Sequence, residues 1–177
     1  MDIGLLLLRL IVGGLFVGHG AQKLFGSFGG YGLEGTGGFM RKLGYRPGRT
    51  MAGLAGLTEF ACGILLILGF LTPFAAAGII GVMVNAIVSV HWERGVWNER
   101  GGLEYPLVLS AVVATLAFVG PGDLSIDAAF DLALAGVAWG LSAILLGLIT
   151  GSIVVMSRTQ SRAIRQEETR PEHRRAA

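Results

Sequence analysis

Apolar runs long enough to cross a bilayer recur five times along the chain, over 3–25, 51–71, 73–91, 103–119 and 128–156, with polar or glycine-rich segments between them. Each lies near the ~20 residues that span a hydrocarbon core as a helix. The pattern predicts five transmembrane helices. Pro73 falls where the first turn of a helix accepts proline, so Leu71-Thr72-Pro73 reads as a tight hairpin. The fourth run is the shortest, and the fifth is long enough that a tilted helix is expected. The first run has neither a positive leading segment nor a small-residue cleavage site, so it reads as a retained span rather than a signal peptide.

Composition supports this reading. Hydrophobic residues make up 53% of the 177 and charged ones 15%, against about 25% charged in a typical soluble domain. Twenty-nine glycines among so few prolines suit close helix contacts in lipid. Of the 14 lysines and arginines, 13 fall in or beside the first loop, the third loop and the tail from Arg158, and Arg9 is the exception. Five spans put those three segments on one face. The positive-inside rule then places the N-terminus outside and the C-terminus in the cytoplasm. The basic excess therefore encodes topology, not nucleic-acid binding. Residues 158–177 read as a solvated, disordered basic tail. The glycine-rich first loop lacks the GxxxxGK[ST] spacing of a phosphate loop. It reads as a surface loop that dips Phe39, Met40 and Leu43 into the interface. The single cysteine, Cys62, has no partner for a redox pair within the chain and reads as a packing residue. His19, His91 and His173 share no metal-ligand spacing, so no metal is expected.

The candidate chemistry lies inside the spans. A bilayer opposes charged side chains by about 2.5–3.5 kcal/mol each on insertion scales. Yet the first span holds Arg9, His19, Gln22 and Lys23, the second Glu59, and the third Asn85. At a rise of ~1.5 Å per residue, His19 and Asn85 lie roughly 9 Å below the basic face and Glu59 roughly 12 Å. Lys23 and Glu104 sit shallower on the same side. Helical geometry gathers Arg9, Phe16, His19 and Lys23 within an arc of about 80° that should face the bundle. Glu59 sits in a stripe of small residues, Ala52, Ala55, Gly56 and Gly63, opposite Gly14 and Gly18 at GxxxG spacing. Glu59 is expected to meet His19 or Lys23, with Glu104 taking the other. Arg9, near the outer side, is expected to bond Asp127. This cluster reads either as a satisfied network that locks the helices or as a pocket in which His19 and Glu59 handle protons. In the fifth span Gly136, Gly140, Gly147 and Gly151 form two GxxxG pairs, which leaves open packing on the bundle or a homodimer.

The ordered set LLLLRLIVGGLFVGHGAQKLFG, GLTEFACGILLILGFLTP, GLEYPL and GPGDLSID resembles the DoxX family of small bacterial membrane proteins, over roughly residues 5–127. The resemblance implies a four-helix transmembrane bundle over 1–127, so the chain is expected to be an all-α membrane protein with an additional fifth helix over 128–157. It also implies that Arg9, His19, Gln22, Lys23, Glu59, Glu104 and Asp127 are family positions. The family's association with terminal oxidases and thiosulfate:quinone oxidoreductases implies a redox-linked membrane subunit. In it His19, Gln22, Lys23, Glu59, Asn85 and Glu104 would line a pocket for a quinone headgroup or a sulfur compound. The alternatives are a membrane scaffold whose basic loops and tail dock soluble redox proteins, and a small-solute permease.

Overall fold

The computed structural model describes residues 2–158. Expectations for the tail beyond Arg158 fall outside these residues. The described residues form helices joined by turns, without strands: α1 (Asp2–Phe25), α2 (Gly32–Lys42), α3 (Gly48–Leu68), α4 (Thr72–Ala86), α5 (Glu104–Val119), α6 (Ile126–Ala129) and α7 (Val137–Met156). Helices α1, α3, α4 and α7 are each long and apolar enough to cross a membrane, α4 with the turns that prolong it to Arg94, and α5 is a shorter apolar helix. The molecule is a multi-pass bundle of the expected class.

α1 and α3 form an antiparallel pair with an unusually close approach. A β-carbon on Gly13 would lie 2.7 Å from the Gly63 carbonyl oxygen, and one on Gly20 would lie 2.7 Å from that of Gly56. The glycines are seven residues apart on both helices, which keeps both contacts on one seam. The GxxxG pair expected to serve this contact, Gly14 and Gly18, instead faces open space. α4 occupies the centre. Ala76, Ala77, Ile79, Ile80 and Met83 are buried against Val12 and Phe16 of α1, Leu66 of α3, Leu109, Val113 and Leu116 of α5, and Ala143 of α7.

Three elements depart from the sequence reading. The glycine-rich loop contains a true helix, α2, laid on α3 and α1. Its four glycines disfavour helix intrinsically, but Gly37 is where it meets α3: a β-carbon there would lie 2.9 Å from the Arg49 backbone. The fifth span is shorter than expected. Residues 130–136 are non-helical, Asp131 has φ 52° and Gly136 has φ 107°, so the helix starts at Val137. Its 20 residues span roughly 30 Å, and no tilt is needed to fit them. The fifth helix is also no appendage. A β-carbon on Gly147 would collide with Ile80, one on Gly151 with the Gly81 carbonyl, and one on Gly140 with the Phe118 ring. These three glycines thus pack on α4 and α5 within the chain.

Candidate functional site

Helix geometry explains how the buried charges meet. Cα–Cβ bonds tilt toward a helix's N-terminus. Lys23, in the last turn of α1, therefore points back into the bundle, while Glu59 on antiparallel α3 points toward the basic end. The two converge in a salt bridge of 2.5 Å, with Glu59 3% exposed and the Lys23 side chain 24% exposed. The Gly56 position gives Lys23 room to pass, since a β-carbon there would press on Lys23 and Leu24.

The pair forms one wall of a cavity of about 420 Å³ between α2, α3, α4 and α7. That volume lies within the range of small-ligand sites, roughly 300–1,000 Å³. A second polar group faces it. The Tyr45 hydroxyl donates to Asn85 Oδ1 at 2.6 Å and lies 2.8 Å from Ser89 Oγ. Asn85 Nδ2 in turn donates to the Gly151 carbonyl of α7 at 3.1 Å, and Arg158 donates to Ser89 Oγ at 3.2 Å. Ser89 lies in a π-helical turn, Ile87–His91, that continues α4. Such turns widen the backbone and are frequent at functional sites. The remaining lining is mostly apolar, including Phe39 and Met40 of α2 and Leu43 just beyond its end.

Of the residues singled out by sequence, Lys23, Glu59 and Asn85 therefore share one chamber, and three others lie outside it. His19 Nδ1 lies 3.2 Å from Gln22 Oε1, and Gln22 Nε2 donates to the Phe28 carbonyl at 3.3 Å. The pair ties the turn after α1, where Gly26, Phe28, Gly29 and Gly32 all have positive φ. Glu104 accepts from the Asn98 backbone at 3.0 Å and organises the 95–104 loop. It takes neither Lys23 nor His19 as partner. Tyr45, Ser89 and Thr58 of α3, which also lines the chamber, were not foreseen. Ser89 had a readable signal, one helical turn beyond Asn85, whereas Tyr45 in its short loop had none.

At the opposite end the GPGDLSID segment is pinned twice. Arg9, 1% exposed, donates to the carbonyls of Pro121 and Leu124, both at 2.6 Å, and to that of Ile67 at 3.5 Å. Asp127 accepts from the backbone of Leu71 (2.8 Å) and Thr72 (3.1 Å) and from the Thr72 hydroxyl (2.8 Å). The expected direct Arg9–Asp127 bond does not form, because each meets a helix end instead. The cation sits at the carbonyl end of α3 and the anion at the amide end of α4, where the helix dipoles favour them. Ser125 accepts from Ala128 N and caps α6.

Buried ionisable groups within a bundle of apolar spans define a multi-pass integral membrane protein. The chain belongs to the DoxX family, whose model matches residues 4–92, from α1 to the end of the π-helical turn. An uncharacterized membrane protein of Mycobacterium tuberculosis, Rv3486, is 29% identical over 130 residues, covering 68% of this chain and 77% of that one. No solved structure matches. The family match ends before α7, yet α7 contributes Thr150, Gly151 and Val154 to the chamber.

Proposed function

We propose that the chain is a redox-linked membrane subunit whose chamber holds the headgroup of a quinone. The observation that carries this reading is the Lys23–Glu59 ion pair on the wall of a largely apolar cavity, facing Asn85 and the Tyr45 hydroxyl. A quinone ring is flat, apolar and uncharged, with a carbonyl acceptor at each end. Lys23 keeps donors beyond its bond to Glu59 for one carbonyl, and the Asn85 amide and Tyr45 hydroxyl serve the other by giving up their present bonds to Gly81, Gly151 and each other. Reduction of a quinone to a quinol takes up two electrons and two protons. No electron-carrying motif occurs in the chain, so the electrons come from a partner redox protein docked on the basic face. The Lys23–Glu59 pair handles the protons, a role for which His19, tied to Gln22, is less well placed. With the basic loops in the cytoplasm of a bacterial inner membrane, the chamber opens near the cytoplasmic leaflet.

Purification in mild detergent from quinone-containing membranes, followed by solvent extraction and chromatography, tests this reading. Wild-type protein should retain quinone near one per chain. Glu59→Gln and Asn85→Leu should each lower retention by about tenfold, the scale expected when one polar contact in a binding site is lost. Retention unaffected by either substitution sinks the proposal.

A further inference from the structure

The chamber has one side that no helix closes. α3 and α7 both pack along α4, yet they barely meet each other. Between them runs a single stripe of α4 and its π-helical continuation: Gly78, Val82, Asn85 and Ser89, spaced four, three and four residues apart. All four line the chamber and all keep partial exposure, whereas Ile79, Ile80, Gly81 and Met83 beside them are buried. Leu54 of α3 and Val154 of α7 flank the stripe, and Leu54 is 51% exposed. At the basic end Phe39 and Met40 of α2, with Leu43 just beyond its end, cover the chamber.

The stripe is graded. Asn85 and Ser89, with Tyr45, lie at the end roofed by α2, and Gly78 and Val82 lie deeper in the bundle. An occupant with its polar head under α2 would leave its apolar end between α3 and α7, among lipid acyl chains. The charged lining residues are Lys23 and Glu59, which cancel each other. The chamber therefore matches a neutral headgroup that hydrogen-bonds.

We infer that the chamber loads sideways from the bilayer, through the gap between α3 and α7, and that its occupant is a neutral carbonyl headgroup on a long alkyl or isoprenoid tail. The inference rests on the quinone reading above and adds the route and the tail. It excludes a small water-soluble sulfur compound as the resident ligand.

The test uses the full chain in liposomes and two photoreactive quinones. One carries a diazirine on its isoprenoid tail, and the other is tail-less and water-soluble with an azide on the ring. In the wild type the ring probe should label chamber residues near Tyr45 and Asn85, and the tail probe should label α3 and α7 around Leu54, Thr58, Thr150 and Val154. Leu54→Trp and Val154→Trp place bulk at part-exposed positions beside the gap. Because both residues also line the chamber, each should lower ring-probe labelling somewhat, and labelling by the tailed probe should fall about tenfold further by steric exclusion at the gap. Melting curves of both variants report whether the bundle itself is intact. Tail label on Phe39 or Met40 of α2, or equal loss of both probes in well-folded tryptophan variants, overturns the lateral route while the quinone site stands. Absence of chamber labelling by either probe in the wild type overturns the quinone reading and the route together.

Discussion

Arg9 and Asp127 hold the same loop, residues 120–127, without bonding each other. Arg9 grips the carbonyls of Pro121 and Leu124, and Asp127, six residues beyond Pro121, caps the first turn of α4. One loop is thereby fastened to three helices: α1 through Arg9, the α3 end through Ile67, and α4 through Thr72. The arrangement keeps a buried cation among carbonyl oxygens and a buried anion among amide donors, so neither needs the other as a partner.

Arg9→Lys should therefore be costly although the charge is kept. A single ammonium cannot reproduce the forked contacts to two carbonyls from the same buried position. The expected loss is about 1.5–3 kcal/mol, the range for hydrogen bonds to charged groups. A lowered melting temperature in detergent would show it, and an unchanged melt would contradict the clamp.

Glycine substitutions should separate the two faces of α1. Gly13→Ala and Gly20→Ala force a methyl within 2.7 Å of a facing carbonyl on α3. Each should destabilise by about 1–3 kcal/mol, as overpacking does. Gly14→Ala and Gly18→Ala meet nothing within 4 Å and should be neutral or slightly stabilising. Equal effects at all four positions, measured by thermal unfolding in one detergent, would refute the register.

Lys23→Met should be among the most damaging single changes. It leaves the Glu59 carboxylate, 3% exposed, without its ion-pair partner, at a cost of about 3–5 kcal/mol. The double variant Lys23→Met/Glu59→Met should recover most of that loss, because an apolar pair can replace a buried ion pair. If the double variant regains stability and quinone retention remains absent, the pair serves binding beyond its structural role.

Tyr45→Phe removes the hydroxyl that joins Asn85 and Ser89 and should cost roughly 1 kcal/mol. Because Arg158 also stacks 5.9 Å above the Tyr45 ring and bonds Ser89, trypsin should cut after Arg158 faster in this variant. Unchanged proteolysis would argue against a coupling between this network and the start of the tail.

On the fifth helix, Gly147→Leu should unfold the bundle rather than break a dimer, since Gly147 lies against Ile80 of the same chain. Gly140→Cys, covered by Phe118, should give no disulfide-linked dimer in native membranes. A strong dimer band on a non-reducing gel would show that the face is free.

Much of this molecule was legible in one dimension. Length and apolarity locate the spans, because a bilayer leaves backbone polar groups no partner but the helix's own, although they put the start of the fifth nine residues early. The cost of placing Arg9, Lys23, Glu59 and Asn85 in lipid marks them as residues with partners to find. Which partner each one takes was decided by the tertiary structure. Lys23 and His19 are one turn apart and depth alone puts His19 nearer Glu59, yet the direction of their side chains at the α1–α3 crossing gives Glu59 to Lys23. Gly13 and Gly14 are indistinguishable as letters, and the rotation of α1 about its axis puts one against α3 and the other toward lipid. The helix of α2 is hidden by its glycines and exists through its packing on α3. Hydrophobic length is a local property of the chain, so sequence determines it. Azimuth and partner choice depend on how several helices pack at once, and only the assembled bundle decides them.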